Sequence, residues 1–247
     1  MKWTGLLRSL VPIMILSAGC HCPPLPIAKP APIGLSECDF LSPVGSRLTD
    51  ANIGPARQEV VVSATLLSRV PPPTSANLVT ADELFMVMIK RNPYAPEEAV
   101  YILRTPARPT PTEYKVVHAR AKESLLFKDV NDPSVGADFN EAPIDTATVL
   151  ALERAWGAMA LRARWPDREH SIARMKWGGT VYTFDYRGDN VYGQGDTVSP
   201  EHGACTGSLA ELGDLLMRFA DEPDANVRDI FRVKLLRQNQ ALVERLK

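Results

Sequence analysis

Four cysteines and four histidines hold most of the chemistry this sequence could offer: Cys20, Cys22, Cys38 and Cys205, with His21, His118, His170 and His202. The sharpest local arrangement is Pro200-Glu201-His202-Gly203-Ala204-Cys205-Thr206-Gly207, which stands just ahead of a predicted helix. The dipole at a helix N-terminus favours a thiolate, so Cys205 could act as a nucleophile with His202 or His170 as its base. No two histidines stand in short ligand spacing, and a zinc site would need distant residues to converge. No metal is therefore expected. Asp129, Asn131, Asp132 and Asp138 lack the spacing of a calcium loop, while Asp185, Asp189 and Asp196 among glycines more often solvate a turn than bind calcium or sugar. Gly193-Gln194-Gly195 supplies two glycines of a fingerprint that needs three, so neither a nucleotide nor another cofactor is expected.

The Cys205 run resembles the Ser-His-Gly-Cys signature of L,D-transpeptidases, which implies a cell-wall-active cysteine enzyme. Three departures separate it from that signature: Ala204 interrupts the motif, the following Arg is absent, and no second His-Gly pair lies upstream. A papain-like order does not fit either, since no His follows Cys205.

The first residues read as a bacterial secretion signal. Lys2 and Arg8 make a basic start, an apolar stretch runs from Leu10 to Leu16, and Ser17, Ala18 and Gly19 precede Cys20. So short an apolar run cannot span ~30 Å of hydrocarbon as a permanent helix, which takes about 20 residues. Leu16-Ser17-Ala18-Gly19-Cys20 resembles the lipobox of bacterial lipoproteins, with Leu16 four residues before the Cys and Ser17 in the usual Leu position. The resemblance implies removal of residues 1–19 and acylation of Cys20, palmitate included. With His21 rather than Asp after the Cys, it also implies an outer-membrane position facing the periplasm. The anchor is then lipid, and the fold need not hold the bilayer itself.

The envelope compartment gives the remaining cysteines a second reading. In an oxidising periplasm distant cysteines commonly pair, and Cys38 with Cys205 is the expected bridge, Cys22 being either the odd thiol or a substitute partner. Closing so long a loop contributes about 4 to 5 kcal/mol in the chain-entropy view.

Composition sets the frame for these residues. The chain has 247 residues, 45% of them hydrophobic, and 28 Lys+Arg stand against 29 Asp+Glu. That apolar share can bury a core. Losing Lys2 and Arg8 with the signal takes the formal charge from −1 to −3, which argues against a nucleic-acid partner. Residues 20–33 form a lipidated Cys and a Pro-rich stretch that favours polyproline II, a tether more than a domain. Residues 34–247 then make a single α+β domain.

The elements that must position the candidates follow from periodicity. Glu59 to Leu67, with Val60-Val61-Val62, reads as a strand. Thr80 and Glu83 have capping-box spacing ahead of a helix to Arg91, with a buried strand as the rival. Ala99 to Arg104 and Tyr114 to Lys122 read as strands, the second with a possible helix towards Phe127, and Asp129 to Pro143 as a polar loop. Asp145 to Arg164 has a cap and apolar residues at three- and four-residue spacing, so a helix is expected there. Ile172 to Trp177 and Thr180 to Tyr186 flank Gly178-Gly179 as a hairpin. After a glycine-rich loop, Ser208 and Glu211 make a second capping box, and Pro223 separates that helix from a terminal amphipathic one. The sum is an antiparallel sheet with two or three packed helices.

Trp165, Trp177, Tyr182, Phe184, Tyr186 and Tyr192 are expected to pack one sheet face under the Asp145 helix, with a partly exposed patch for glycan or protein as the other reading. Arg228, Arg232, Arg237 and Arg245 are expected on a solvated face. The function these readings favour is a non-catalytic envelope lipoprotein, held on the membrane by its lipid, that binds another envelope component, with a protein as the expected partner. A periplasmic immunity-type inhibitor of a secreted toxin is one concrete form. The alternative is the cysteine enzyme built on Cys205.

Overall fold

The strand that organises the fold is Glu83–Asn92, where the sequence favoured a helix. All six residues from Leu84 to Ile89 are buried. A strand buried on both faces loses its polar alternation, so its apolar run mimics a helix and only length and surroundings tell them apart. Here Met86 and Met88 face one core, and Val87 and Ile89 face the other. In this computed structural model the described residues are 38, 39, 41, 42, 55–69, 83–105, 112–126, 128, 129, 132, 135–163, 179–188 and 191–247, all within the unit Ser36–Lys247. The expected signal, Cys20, Cys22, the Pro-rich tether, Trp165, His170, the strand at 172–177 with Trp177, and Asp189 lie outside them.

In chain order the elements are α1 (Pro55–Leu66), β1 (Glu83–Asn92), β2 (Ala95–Thr105), β3 (Glu113–Ala121), β4 (Ala137–Ile144), α2 (Thr146–Leu161), β5 (Val181–Gly188), β6 (Val191–Val198), α3 (Cys205–Asp221) and α4 (Ala225–Arg245). The six strands form one antiparallel sheet in the order β4-β3-β2-β1-β5-β6. α1 covers one face, α2 and α3 cover the other, and α4 packs on α2 and α3. The fold class is therefore α+β, with a long helix at the C-terminus.

Several local expectations change in this context. The segment read as a strand from Glu59 to Leu67 belongs to α1. From residue 61 on, its buried residues are Val61, Val62, Thr65 and Leu66, and a spacing of i, i+1, i+4, i+5 makes one helical stripe that outweighs the strand preference of the valines. The polar loop expected up to Pro143 contains β4. As an edge strand it hides little more than Ala142 and Ile144, so its sequence keeps the charges that suit an edge. β5 is hydrogen-bonded along one side to β1 and along the other to β6, so its partners differ from the hairpin expected across Gly178-Gly179. The glycine-rich loop is strand β6. Gly195 is required there because a Cβ would stand 2.6 Å from the Cβ of Leu41, a fully buried residue.

The helix expected from Asp145 forms as α2. Asp145 accepts from the Thr148 backbone N–H at 2.8 Å, satisfying one of the orphan donors of the first turn. Its inner face carries Val149, Leu152, Trp156 and Met159. The Trp156 ring meets Phe184 edge-on at 5.5 Å, and its indole N–H donates to the Asp185 carbonyl at 3.1 Å. The β2 and β3 strands form as expected. Beyond Ala121 the described residues up to Leu126 are not helical.

Candidate functional site

Cys205 is the first residue of α3, where the sequence reading set it just ahead of the helix, and the helix is capped from elsewhere. Ser208 lies inside α3, so the capping box with Glu211 does not form, and the N-cap Ala204 offers no side-chain acceptor. The Asp39 carboxylate takes that role: it accepts from the Thr206 backbone N–H at 3.0 Å and from the Thr206 hydroxyl. Next to it, the Cys38 and Cys205 sulfurs are bonded, with 5.1 Å between their Cα atoms. Leu41 is buried, and the Ser42 backbone exchanges two hydrogen bonds with Asp196 on β6, at 2.8 and 2.7 Å. Cys38, Asp39, Leu41 and Ser42 thus tie the start of α3 to the outer edge of β6.

This geometry bears on the proposed nucleophile. The Cys205 sulfur is buried and committed to Cys38, and a disulfide sulfur carries no thiolate. The His202 side chain is 93% exposed, and its Nδ1 lies 2.6 Å from Glu211 Oε1. His170 is outside the described residues.

A second cluster, not singled out by sequence reasoning, lies where α3 crosses the sheet. His118 on β3 is 3% exposed. Its Nδ1 stands 2.7 Å from Asp221 Oδ1 at the end of α3, and its Nε2 is 3.8 Å from Glu98 Oε1 on β2, beyond hydrogen-bond reach. A carboxylate can only accept, so Nδ1 carries the shared proton. Asn140 Nδ2 donates to the same Asp221 oxygen at 2.8 Å, and Arg120 Nε donates to Glu98 at 2.8 Å. Nearby, the Lys90 ammonium donates to Asp214 at 2.9 Å and lies 5.8 Å from the Tyr182 ring centre. Burial would lower the Lys90 pKa, but the hydrogen bond and charge of Asp214 outweigh it and raise the value. Burial likewise pushes the Tyr182 phenol up. A histidine between two carboxylates has the composition of a general base. With Nε2 buried, the arrangement instead clamps two carboxylates of α3, Asp214 and Asp221, onto β1, β3 and β4. Alternation in Tyr114 to His118 places His118 on the face that carries Tyr114 and Val116, which marked it as covered. Its partner lies 103 residues away, and no sequence spacing marks that pairing.

The other candidates disperse. Among the described residues no group of three His, Cys, Asp or Glu side chains could hold a metal ion. Asp185 and Asp196 are in β5 and β6, buried. Burial pushes the Asp185 carboxyl up against the opposing pull of Arg187. Asp138 is in β4, and Gly193-Gln194-Gly195 is strand. Of the aromatic set, Phe184 and Tyr186 are buried beneath α2, and Tyr186 donates to Glu153 at 2.6 Å. Tyr192 is exposed, with Arg187 5.8 Å from its ring centre. Arg228, Arg232 and Arg245 bond to Glu222, Asp145 and Ser208.

A six-stranded antiparallel sheet with helices on both faces and a disulfide strap at one edge defines the class of this domain. The chain matches no protein family, no curated protein and no solved structure.

Proposed function

We propose that this chain is a bacterial envelope lipoprotein, acylated at Cys20, whose domain works by binding another envelope protein rather than by catalysis. The bridge between Cys38 and Cys205 is the observation that carries the reading. Bridges persist in oxidising compartments, and this one supports the export that the lipobox resemblance implies. It also occupies the sulfur on which the alternative, a cell-wall cysteine enzyme, would depend. The Pro-rich stretch from Cys22 to Pro32 then serves as a spacer between lipid and domain. The outer membrane, facing the periplasm, is the position that His21 after the lipidated Cys suggests. Occlusion of a secreted toxin is one form the binding would take.

Radiolabelled palmitate should label the chain and fail to label a Cys20→Ala variant; continued labelling of the variant would refute the anchor. Pull-down of the lipidated chain from its native envelope should recover a protein partner. Loss of a peptidoglycan-processing activity in a Cys205→Ser variant that remains folded would overturn the non-catalytic reading.

A further inference from the structure

The contacts that hold the end of α3 leave one polar atom without a use. His118 Nε2 is shut off from solvent and has no hydrogen-bond partner, although a buried polar atom left unpaired is costly. What faces it is Glu98 Oε1, 3.8 Å away, while on the other side of the ring Nδ1 donates to Asp221 at 2.7 Å. With the ring neutral, Nε2 turns a lone pair towards a carboxylate, and two acceptors then face each other. With the ring protonated, Nε2 turns an N–H towards the same carboxylate, and a closure of about 1 Å makes it a charge-assisted hydrogen bond.

We infer that His118 is a proton-operated latch: a proton taken up at Nε2 joins Glu98 on β2 to Asp221 on α3 through the ring and tightens the hold of the sheet on the C-terminal turn of α3. That turn leads through Glu222 and Pro223 into α4, so the latch sets how firmly this corner of the domain is held. The inference does not rest on the anchoring reading.

The charges around the ring argue the same way. β1 brings Lys90, β2 Glu98, β3 itself Arg120, and α3 Asp214, Arg218 and Asp221; β4, whose Asn140 stands opposite His118 in register, brings Asp138. Asp138 is largely exposed beside Lys122, and Arg218 is exposed, so water screens both. α2 also packs on β3, but its Glu153 accepts from Tyr186 and its Arg154 is exposed. The groups joined to one another by contacts are three carboxylates, Glu98, Asp214 and Asp221, and two cations, Lys90 and Arg120. That network carries one negative charge in excess while the ring is neutral and is balanced once the ring holds its proton. Histidine is the side chain that charges between about pH 8 and pH 5. A fold that binds this proton more tightly than the unfolded chain does gains stability as pH falls through that range and loses it as pH rises.

The test uses the full chain and begins without a substitution. NMR of the imidazole nitrogens should show Nε2 of the folded protein gaining its proton between about pH 8 and pH 5.5. Amide exchange at Arg218 to Asp221, corrected for its intrinsic pH dependence, should slow about tenfold over the same range. In urea unfolding, the gap between the parent and His118→Gln, which keeps a donor for Asp221 but cannot titrate, should widen about tenfold in the unfolding constant as pH falls. Glu98→Gln should remove most of that widening, because the N–H then meets a neutral oxygen in place of a carboxylate. An Nε2 that stays unprotonated in the folded protein at the acid end overturns the inference. So does a gap that is the same at both ends of the range, or a proton gained with no change in exchange at the end of α3. Exchange that slows equally in Glu98→Gln overturns it too, since the proton would then act through another contact. Should His118→Gln fail to fold, the NMR and exchange readings on the parent decide the matter by themselves.

Discussion

Replacing both bridge cysteines, Cys38→Ser with Cys205→Ser, removes a cross-link of sequence separation 167. In the chain-entropy account a closed loop of that length constrains the unfolded state by about 5 kcal/mol. Both sulfurs are buried, so two hydroxyls in their place add a smaller desolvation cost. The strap holds more than the bond. Asp39 caps α3 through Thr206, and Leu41 fills the space that Gly195 leaves. Once untied, this segment is held by those contacts and by the Ser42 backbone pair alone. For a domain of this size, 1 kcal/mol moves the melting temperature by roughly 2–4 °C. The double variant should therefore melt about 10–20 °C below the parent. Urea unfolding should show the same loss, with a steeper m because the unlinked chain exposes more surface. Adding reductant to the parent should reproduce the variant. A loss below about 1 kcal/mol, or a free thiol at Cys205 in the folded oxidised protein, would refute the reasoning and return Cys205 to the list of candidate nucleophiles.

Three further outcomes follow from particular contacts. Gly207→Ala should destabilise by about 1–2 kcal/mol despite a gain of about 1 kcal/mol in helix preference, because the new Cβ would clash with the Glu201 carbonyl oxygen and backbone cannot easily give way; a raised melting temperature would contradict this. Trp156→Ala should cost roughly 3–5 kcal/mol by urea titration, since it empties the space against Phe184 and strands the Asp185 carbonyl; a loss near zero would show that the site collapses around the gap. Burial alone would raise the Asp145 carboxyl, but hydrogen bonds from Thr148 and Arg232 hold it below its ordinary value of 3.8. A depressed carboxyl stabilises the fold above that ordinary value, and the benefit fades as pH falls through the folded value. Asp145→Ala should therefore cost about 1 kcal/mol at neutral pH, as an N-cap does, and less in acid; a pH-independent gap between variant and parent would refute the assignment.

Some of the architecture was legible because its cause is local. α2 shows its cap at Asp145 and its stripe of Val149, Leu152, Trp156 and Met159 in consecutive turns. The break at Pro223 between α3 and α4 is equally local, and β5 alternates Tyr182, Phe184 and Tyr186 with Thr183 and Asp185. Where the environment is set at a distance, local patterns misled. β1 is apolar on both faces because α1 covers one and α2 and α3 the other. α1 carries three valines in a row, yet the stripe that counts is the one it turns to the sheet. The site followed the same division: the cysteine pair was inferred from compartment, while Asp39 on Thr206 and Asp221 on His118 were not.

The amino-acid sequence by itself determined the run Leu16-Ser17-Ala18-Gly19-Cys20 on which the anchoring proposal rests, the near-neutral charge and the cysteines available for one bridge. These depend on residue types and short spacings, which the chain carries whether or not it is folded. The tertiary structure alone decided that the Cys205 helix is capped by a carboxylate 167 positions earlier, that Asp221 is the partner of His118, and that the aliphatic residues of α4 split between a buried face and an outward one. Those outcomes are contacts between distant segments, whose free energy exists only once the sheet has brought them together.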